Sequence, residues 1–401
     1  MDDIVVIGAG QAGASLVAKL RKEGFSGKIT LIGEEPALPY ERPPLSKAYL
    51  MGKVGKERLY LRPESFYREN DIEALTGLHV DTIDRGGQLV IAGDREIPYD
   101  KLALTTGSVP RRLPAAIGGD LPGVHTVRSL ADVDAMAPAF RDGARALVVG
   151  GGYIGLEAAA VARQSGMQVT LVEMADRILQ RVASPETSDY FRKLHERHGV
   201  DIREATGLHR LTGEDRVTGA VLTGDEEVPV DVVIVGVGIA PAVALAEACE
   251  LAIENGIKAD AQGRTTDDRI WAAGDCASFP YKGKRVRLES VQNAIDQAEC
   301  VAQNMLGAGK DYRPYPWFWS DQYDVKLQIA GLTAGYDRIV TRGEGDQVAF
   351  WYYKGDEFLG VDAMNDARSY MVAKRMLEMG KTPDPEAVAN PETELKTLMR
   401  G

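Results

Sequence analysis

Cysteine, histidine, excess positive charge and long apolar runs are all scarce in this chain. Cys249, Cys276 and Cys300 are the only cysteines among 401 residues, too few and too widely spaced for a disulfide framework or a Cys-x-x-Cys metal site. They read as small buried apolar residues. The five histidines offer one close pair, His195 and His198, which reads as a surface pair near the end of a helix, and no metal is expected. Lys and Arg number 47 against 59 Asp and Glu, a net charge of −12. Nucleic-acid binding needs clustered cations for the phosphates and is excluded as a class. No run approaches the roughly 18 apolar residues a spanning helix needs, and the apolar opening at residues 4–18 follows two aspartates rather than a basic leader. The expectation is a cytoplasmic protein with no membrane contact.

Glycine is the residue in excess. The chain holds 43, where about 7% would give roughly 28, and an apolar content of 44% argues against disorder. The surplus therefore points to tight backbone turns. Two of these turns form an internal repeat. The β-branched run at residues 4–7 leads into Gly8-x-Gly10-x-x-Gly13 and a helical segment at 15–22, and residues 146–149 lead into Gly150-x-Gly152-x-x-Gly155 and a helix to about 165. Each fingerprint follows a strand and opens a helix, which is the context of a dinucleotide-binding turn. The first glycine permits the turn, the second lets a diphosphate approach, and the third packs helix on strand. The helix N-terminus faces the anion.

A second strand should end in an acid that accepts hydrogen bonds from a ribose. Residues 28–32 lead to Glu34, and residues 168–172 lead to Glu173. Two such modules in one chain point to two cofactors that exchange electrons. A carboxylate at Glu173 would repel a 2′-phosphate, and Arg177 is the nearest arginine, so NADH is expected over NADPH. Further on, residues 230–235 read as a buried strand before Gly236-x-Gly238, and residues 269–273 as one before Gly274-Asp275. Alternating segments at 325–330 and 348–353 predict an antiparallel sheet. A helix over 367–379 stops at Gly380. From Thr382 the chain is rich in Pro and Glu and is expected to be loosely structured.

These motifs, with residues 39–47 (Pro-Tyr-Glu-Arg-Pro-Pro-Leu-Ser-Lys), Thr105-Thr106-Gly107 and Trp317-Phe318-Trp319-Ser320-Asp321-Gln322, carry a resemblance over nearly the whole chain. It resembles the FAD-containing, NADH-dependent ferredoxin reductases of bacterial oxygenase systems. The resemblance implies an α/β fold of two Rossmann-like dinucleotide-binding domains, for FAD and NAD as in glutathione reductase, plus a C-terminal α+β domain. The implied boundaries are 1–108 and 238–316 for FAD, 109–237 for NAD, and 317–401 for the last domain. Residue by residue, it implies Gly8, Gly10, Ala12 and Gly13 at the FAD diphosphate and Glu34 on the adenosine ribose. Arg42 and Lys47 would face the diphosphate and the isoalloxazine, Val80 and Arg128 would border the cofactor, Asp275 would bind the ribityl chain and Val291 would offer backbone at the pyrimidine end. Gly150, Gly152, Ile154, Gly155, Glu173 and Gly238 would serve the second dinucleotide. Thr105 departs from the common Ala-Thr-Gly pattern, and the turn is expected to survive it.

In this reading Lys47 is the cation at the flavin's reactive edge, and Glu157 pairs with it or simply complements a helix N-terminus. Trp319 lies by the flavin on the exit side, or anchors the sheet with Trp317. A disulfide route would need a cysteine with a lowered thiol pKa in residues 40–50, where there is none. The implied partner is a small, acidic two-iron two-sulfur ferredoxin serving a cytochrome P450 or Rieske-type oxygenase. Its docking site on an acidic reductase would be Lys282, Lys284, Arg285 and Arg287, or Lys310 with Arg313. A monomer or weak dimer is expected. An oxidase or quinone-type flavoprotein, and a redox signalling protein like apoptosis-inducing factor, remain as alternatives.

Overall fold

The structure is a computed structural model and describes residues 2–399. It separates into two compact units: Met1–Glu41, Gly55–Val109 and Ile239–Pro316 form one, and Arg42–Val54, Pro110–Gly238 and Trp317–Gly401 form the other.

The first unit is built on a parallel five-stranded sheet in the order Ile270–Ala272, Lys101–Leu104, Ile4–Ile7, Ile29–Gly33, Ile72–Thr76. A parallel sheet is covered on both faces, so its strands Ile4–Ile7 and Ile29–Gly33 are buried at every position rather than alternating, while the edge strand Ile72–Thr76 keeps Glu73 and Thr76 exposed. Ile4 and Val6 enter one core with the helices Gln11–Lys22 and Val291–Met305. Val5 and Ile7 enter another with residues of the three-stranded sheet Thr82–Asp84, Leu89–Ala92, Arg95–Pro98. Each such side chain contributes about 1.5–3 kcal/mol on burial.

The second unit repeats that plan. Its parallel sheet runs Val200–Arg203, Gln168–Val172, Arg145–Val149, Val232–Val235, Val124–Thr126. Leu147, Val149, Val233 and Val235 pack with a second three-stranded antiparallel sheet, Leu208–Thr212, Gly219–Leu222, Glu227–Pro229. The antiparallel sheet predicted near the C-terminus is present in the order Trp317–Gln322, Val325–Gly331, Glu357–Met364, Gln347–Lys354, Arg338–Glu344. Period-two alternation divides its residues between two faces. Trp317, Trp351, Tyr353, Val361 and Ala363 share a core with the helix Ala367–Glu378. Phe318, Ser320, Gln322, Tyr352 and Asp362 face the helices Tyr153–Gln164 and Pro185–Arg197 instead.

Two expectations need correction here. The segment after Thr382 is ordered against the sheet: it forms the helix Pro385–Ala389 and a 3-10 turn Leu395–Met399, with Val388 and Leu395 buried. The Arg342 guanidinium holds it by donating to the carbonyls of Val388 at 2.9 Å, Asn390 at 2.6 Å, Pro391 at 3.1 Å and Thr393 at 2.9 Å. His195 is not a surface residue either. It is fully buried, and its Nε2 lies 2.8 Å from Gln322 Oε1, because this face of the helix is covered by a strand more than a hundred residues away in sequence.

Candidate active site and dinucleotide turns

The two fingerprints fold into matching turns. Gly8 and Gly150 have φ of +111° and +104°, a region closed to residues with a Cβ. A Cβ added at Gly13 would lie 2.0 Å from the Gly8 carbonyl oxygen, and one at Gly155 would lie 2.0 Å from that of Gly150. The third glycine thus lets each helix sit on its turn. The middle glycines differ in kind: a Cβ at Gly10 or Gly152 would meet nothing within 4 Å. Both are N-caps without a side-chain cap, whereas the long helices beginning after Ser184, Ser290 and Asp366 are capped. Two helix starts therefore keep donors and open space for a diphosphate, and the residues present fit a dinucleotide in each unit.

The loops closing each turn correspond as well. A Cβ on Gly8 would strike the Thr105 carbonyl oxygen at 2.2 Å, and one on Gly150 would strike that of Gly236 at 2.4 Å. The single Thr105 hydroxyl proton lies between the carbonyls of Gly8 at 2.8 Å and Ile7 at 3.1 Å, so threonine adds a donor to the turn.

In the first unit, Gly274 packs beside Ala12, its N–H donates to Gln297 Oε1 at 2.9 Å, and Asp275 accepts from Ser108 at 3.0 Å. Val291 opens the helix that carries Gln297. Glu34 is exposed at the end of its strand, 3.0 Å from His79 Nδ1. Val80 is buried in the core, so only its backbone is available to a ligand. In the second unit, Glu173 accepts from the N–H groups of Gly151 and Ala175, both at 2.8 Å. Arg177 is turned away to Ser184, Ser188 and Gln180. Ile154 is exposed on the first turn of its helix, and Gly238 accepts from the Arg111 N–H at 2.9 Å. Arg42 donates to the Arg128 carbonyl at 2.6 Å.

Lys47 and Glu157 meet within the second unit. Pro43–Ser46 forms a 3-10 turn that delivers Ser46 and Lys47 to the helix Tyr153–Gln164. Lys47 Nζ lies 3.1 Å from Glu157 Oε1 and 3.4 Å from Asp321 Oδ2, with the lysine side chain 18% exposed and that of the glutamate 6%. Ser46 donates to Glu157 Oε2 at 3.0 Å and Ser320 to Oε1 at 2.7 Å. Burial pushes the Glu157 carboxyl upward against the opposing pull of Lys47 and the two serines. Trp319 stacks obliquely on Trp317, with ring centroids 5.6 Å apart, and Phe318 meets Tyr153 at 5.1 Å. Ser46, Ser320, Gln322 and Asp321 join the site without a motif that marks them as site residues. Alternation along Trp317–Gln322 is the signal that sets Phe318, Ser320 and Gln322 on one face.

The expected docking cluster changes. Arg285 donates to the carbonyls of Ala259 at 2.9 Å and Ser278 at 2.6 Å, and Arg287 to those of Asn255 at 3.1 Å and Asp275 at 3.3 Å. Both are structural ties. Lys282, Lys284, Lys310 and Arg313 are exposed.

All three cysteines are buried free thiols, and burial raises their pKa, the opposite of a reactive thiolate. Among the described residues no helix is long and apolar enough to cross a membrane, and no group of three or more His, Cys, Asp or Glu is placed to hold a metal.

Two dinucleotide turns in one chain define a two-cofactor oxidoreductase. Matching family descriptions are pyridine nucleotide-disulphide oxidoreductase over residues 2–298 and reductase C-terminal over residues 317–399. Rhodocoxin reductase of Rhodococcus erythropolis is 43% identical over 399 residues, covering 98% of this chain and 93% of that one. Putidaredoxin reductase of Pseudomonas putida is 39% identical over 408 residues, covering 99% and 97%. The solved structure of the covalent putidaredoxin reductase–putidaredoxin complex matches with a TM-score of 0.96 at 37% identity, covering 100% and 98%. The chain belongs to the pyridine nucleotide-disulphide oxidoreductase family. FAD and NAD(P)H are its cofactors, and the resemblance drawn from the motifs holds over the full length.

Proposed function

We propose that this chain is a cytoplasmic, NADH-dependent flavoprotein reductase that passes electrons one at a time to a small two-iron two-sulfur ferredoxin serving an oxygenase. The single observation that carries this reading is the duplicated turn with two uncapped helix starts, in a chain whose thiols are all buried. Bound FAD would supply the conversion between the electron pair of one hydride and single electrons. The protein supplies position and charge.

Gly8, Gly10 and Gly13 cradle the FAD diphosphate, with Ala12, Asp275 and Val291 in the same unit, and Glu34 takes the ribose. Gly150, Gly152 and Gly155 do the same for NADH. Glu173 is held by two N–H groups at the end of its strand, where its charge repels a 2′-phosphate, and no bond of Arg177 turns that arginine toward it. Lys47 is the fixed cation offered to the charge that grows on reduction, and Glu157 with Ser46 and Ser320 fixes its ammonium. Trp319 would shield the bound rings from water. Electron exit needs no thiol, because residues 40–50 hold none and Cys276 is wholly buried.

Anaerobic stopped-flow mixing of the flavin-loaded protein with NADH or NADPH tests the reading, followed by cytochrome c reduction with and without a two-iron two-sulfur ferredoxin. The expected result is at least about tenfold faster bleaching by NADH, one factor of ten being about 1.4 kcal/mol, and cytochrome c reduction that depends on the ferredoxin. Rapid oxygen consumption with no ferredoxin dependence would overturn it.

A further inference from the structure

Behind Ser320, a line of hydrogen bonds runs away from Glu157 within the same unit. Gln322 Nε2 lies 3.2 Å from Ser320 Oγ, Gln322 Oε1 lies 2.8 Å from His195 Nε2, and His195 Nδ1 lies 3.4 Å from the Tyr323 hydroxyl. Ser320, Gln322 and His195 are all fully buried. Their directions follow from one another. An ionised Glu157 only accepts, so the single Ser320 proton is spent on it, and Ser320 must accept from Gln322. That sets the amide with its oxygen toward His195, which must then carry its proton on Nε2. Nδ1 is left as an acceptor for Tyr323. Every donor in the line points toward Glu157, and each bond polarises the next.

We infer that His195 and Gln322 are positioning residues that hold the Glu157 carboxylate ionised and oriented opposite Lys47, acting only through Ser320. This rests on the proposed role of the Lys47–Glu157 pair in the reductase. A protonated Glu157 accepts the Ser320 proton more weakly than the carboxylate does, so the line favours the charged form. His195 suits the task because it stays neutral: burial pushes it down to about 4. The charged and titratable groups around the line are few. Lys47 faces Glu157 directly, and Asp321 reaches it through Lys47. His198 faces His195 electrostatically and stacks on Tyr323 with ring centroids 3.6 Å apart, and Arg163 acts on Tyr323. None of these supplies a second buried donor to Ser320.

The test compares His195→Phe, which removes the donor, with His195→Gln, which restores an N–H at the same reach, both as flavin-loaded protein. The first readout is the carboxyl titration of Glu157, followed by 13C-glutamate NMR or infrared difference spectroscopy and assigned with Glu157→Gln; it does not depend on turnover. His195→Phe should move that titration upward by a few tenths of a pH unit, because the bond it removes strengthens the Ser320–Glu157 bond by polarisation rather than being made to the carboxylate itself. The acid limb of NADH-driven flavin bleaching should move with it, and His195→Gln should restore both. Gln322→Leu provides the same shift if His195→Phe does not fold. An unmoved Glu157 titration in a folded His195→Phe or Gln322→Leu protein overturns the inference, and so does an equal shift in His195→Gln. If the titration moves while bleaching keeps its pH profile, the positioning role fails while the proposed reductase function stands.

Discussion

The two dinucleotide turns are near copies, but the units that carry them bury very different groups. In the first unit the buried polar side chains are hydroxyls and amides: Thr30, Thr105, Ser108, Ser278, Asn293, Gln297 and Asn304. In the second they include Glu157, His195, Asp362 and Asp366. The contrast is sharpest two residues past the third glycine, where the first copy has Ser15, partly buried beside Gln11 at 3.5 Å, and the second has Glu157 against Lys47 at 3.1 Å. A neutral hydroxyl there needs no partner charge. A buried carboxylate needs a cation and hydrogen bonds to stay charged, and it draws a segment, a strand and two serines around itself. In the proposed function the same turn is a holder in one unit and the floor of an electrostatic site in the other.

The largest expected effect breaks the copies apart at that position. Glu157→Gln should slow NADH-driven flavin bleaching by roughly 100-fold, about 2.7 kcal/mol, whereas Ser15→Ala should leave the rate within about twofold. Stopped-flow absorbance at saturating NADH measures both. Equal effects at the two positions would mean that the buried charge is not what distinguishes the units.

Asp362 sharpens the comparison through stability. It accepts from Thr187 at 2.7 Å and Tyr352 at 2.6 Å with no cation beside it, and burial raises it to about 6. A carboxyl raised in the fold contributes fully below its unfolded value near 4, and that contribution is lost as pH rises through 6. Two units correspond to about 3 kcal/mol. Urea unfolding at pH 4.5 and 7.5 should therefore show Asp362→Asn gaining on the parent protein as pH rises, by a sizeable part of that amount. A difference between the two proteins that is the same at both pH values would contradict the assignment.

Much of this was readable from sequence, for reasons that differ by element. The strand-turn-helix fingerprints are local: a few glycines and a β-branched run specify both, and the acids Glu34 and Glu173 sit where the strands end. The C-terminal sheet was visible because half-buried strands alternate. What escaped depends on contacts between distant segments. His195 lies on an amphipathic helix whose covering strand is Trp317–Gln322, and the tail after Thr382 is ordered by Arg342, about fifty residues earlier. Arg285 and Arg287 read as surface charge, but they spend donors on the backbone carbonyls of Asn255, Ala259, Asp275 and Ser278. Composition does not record whether a guanidinium faces water or backbone.

The central claim is that one turn serves each cofactor, and Gly152→Ala beside Gly10→Ala tests it most directly, since neither added methyl meets protein within 4 Å. Flavin content and the NADH concentration for half-maximal bleaching, measured on the same purified proteins, should separate. Gly152→Ala should keep its flavin and need about tenfold or more NADH, a shift worth at least about 1.4 kcal/mol, while Gly10→Ala should lose flavin on dialysis. Flavin loss from Gly152→Ala, with Gly10→Ala retaining it, would contradict the account.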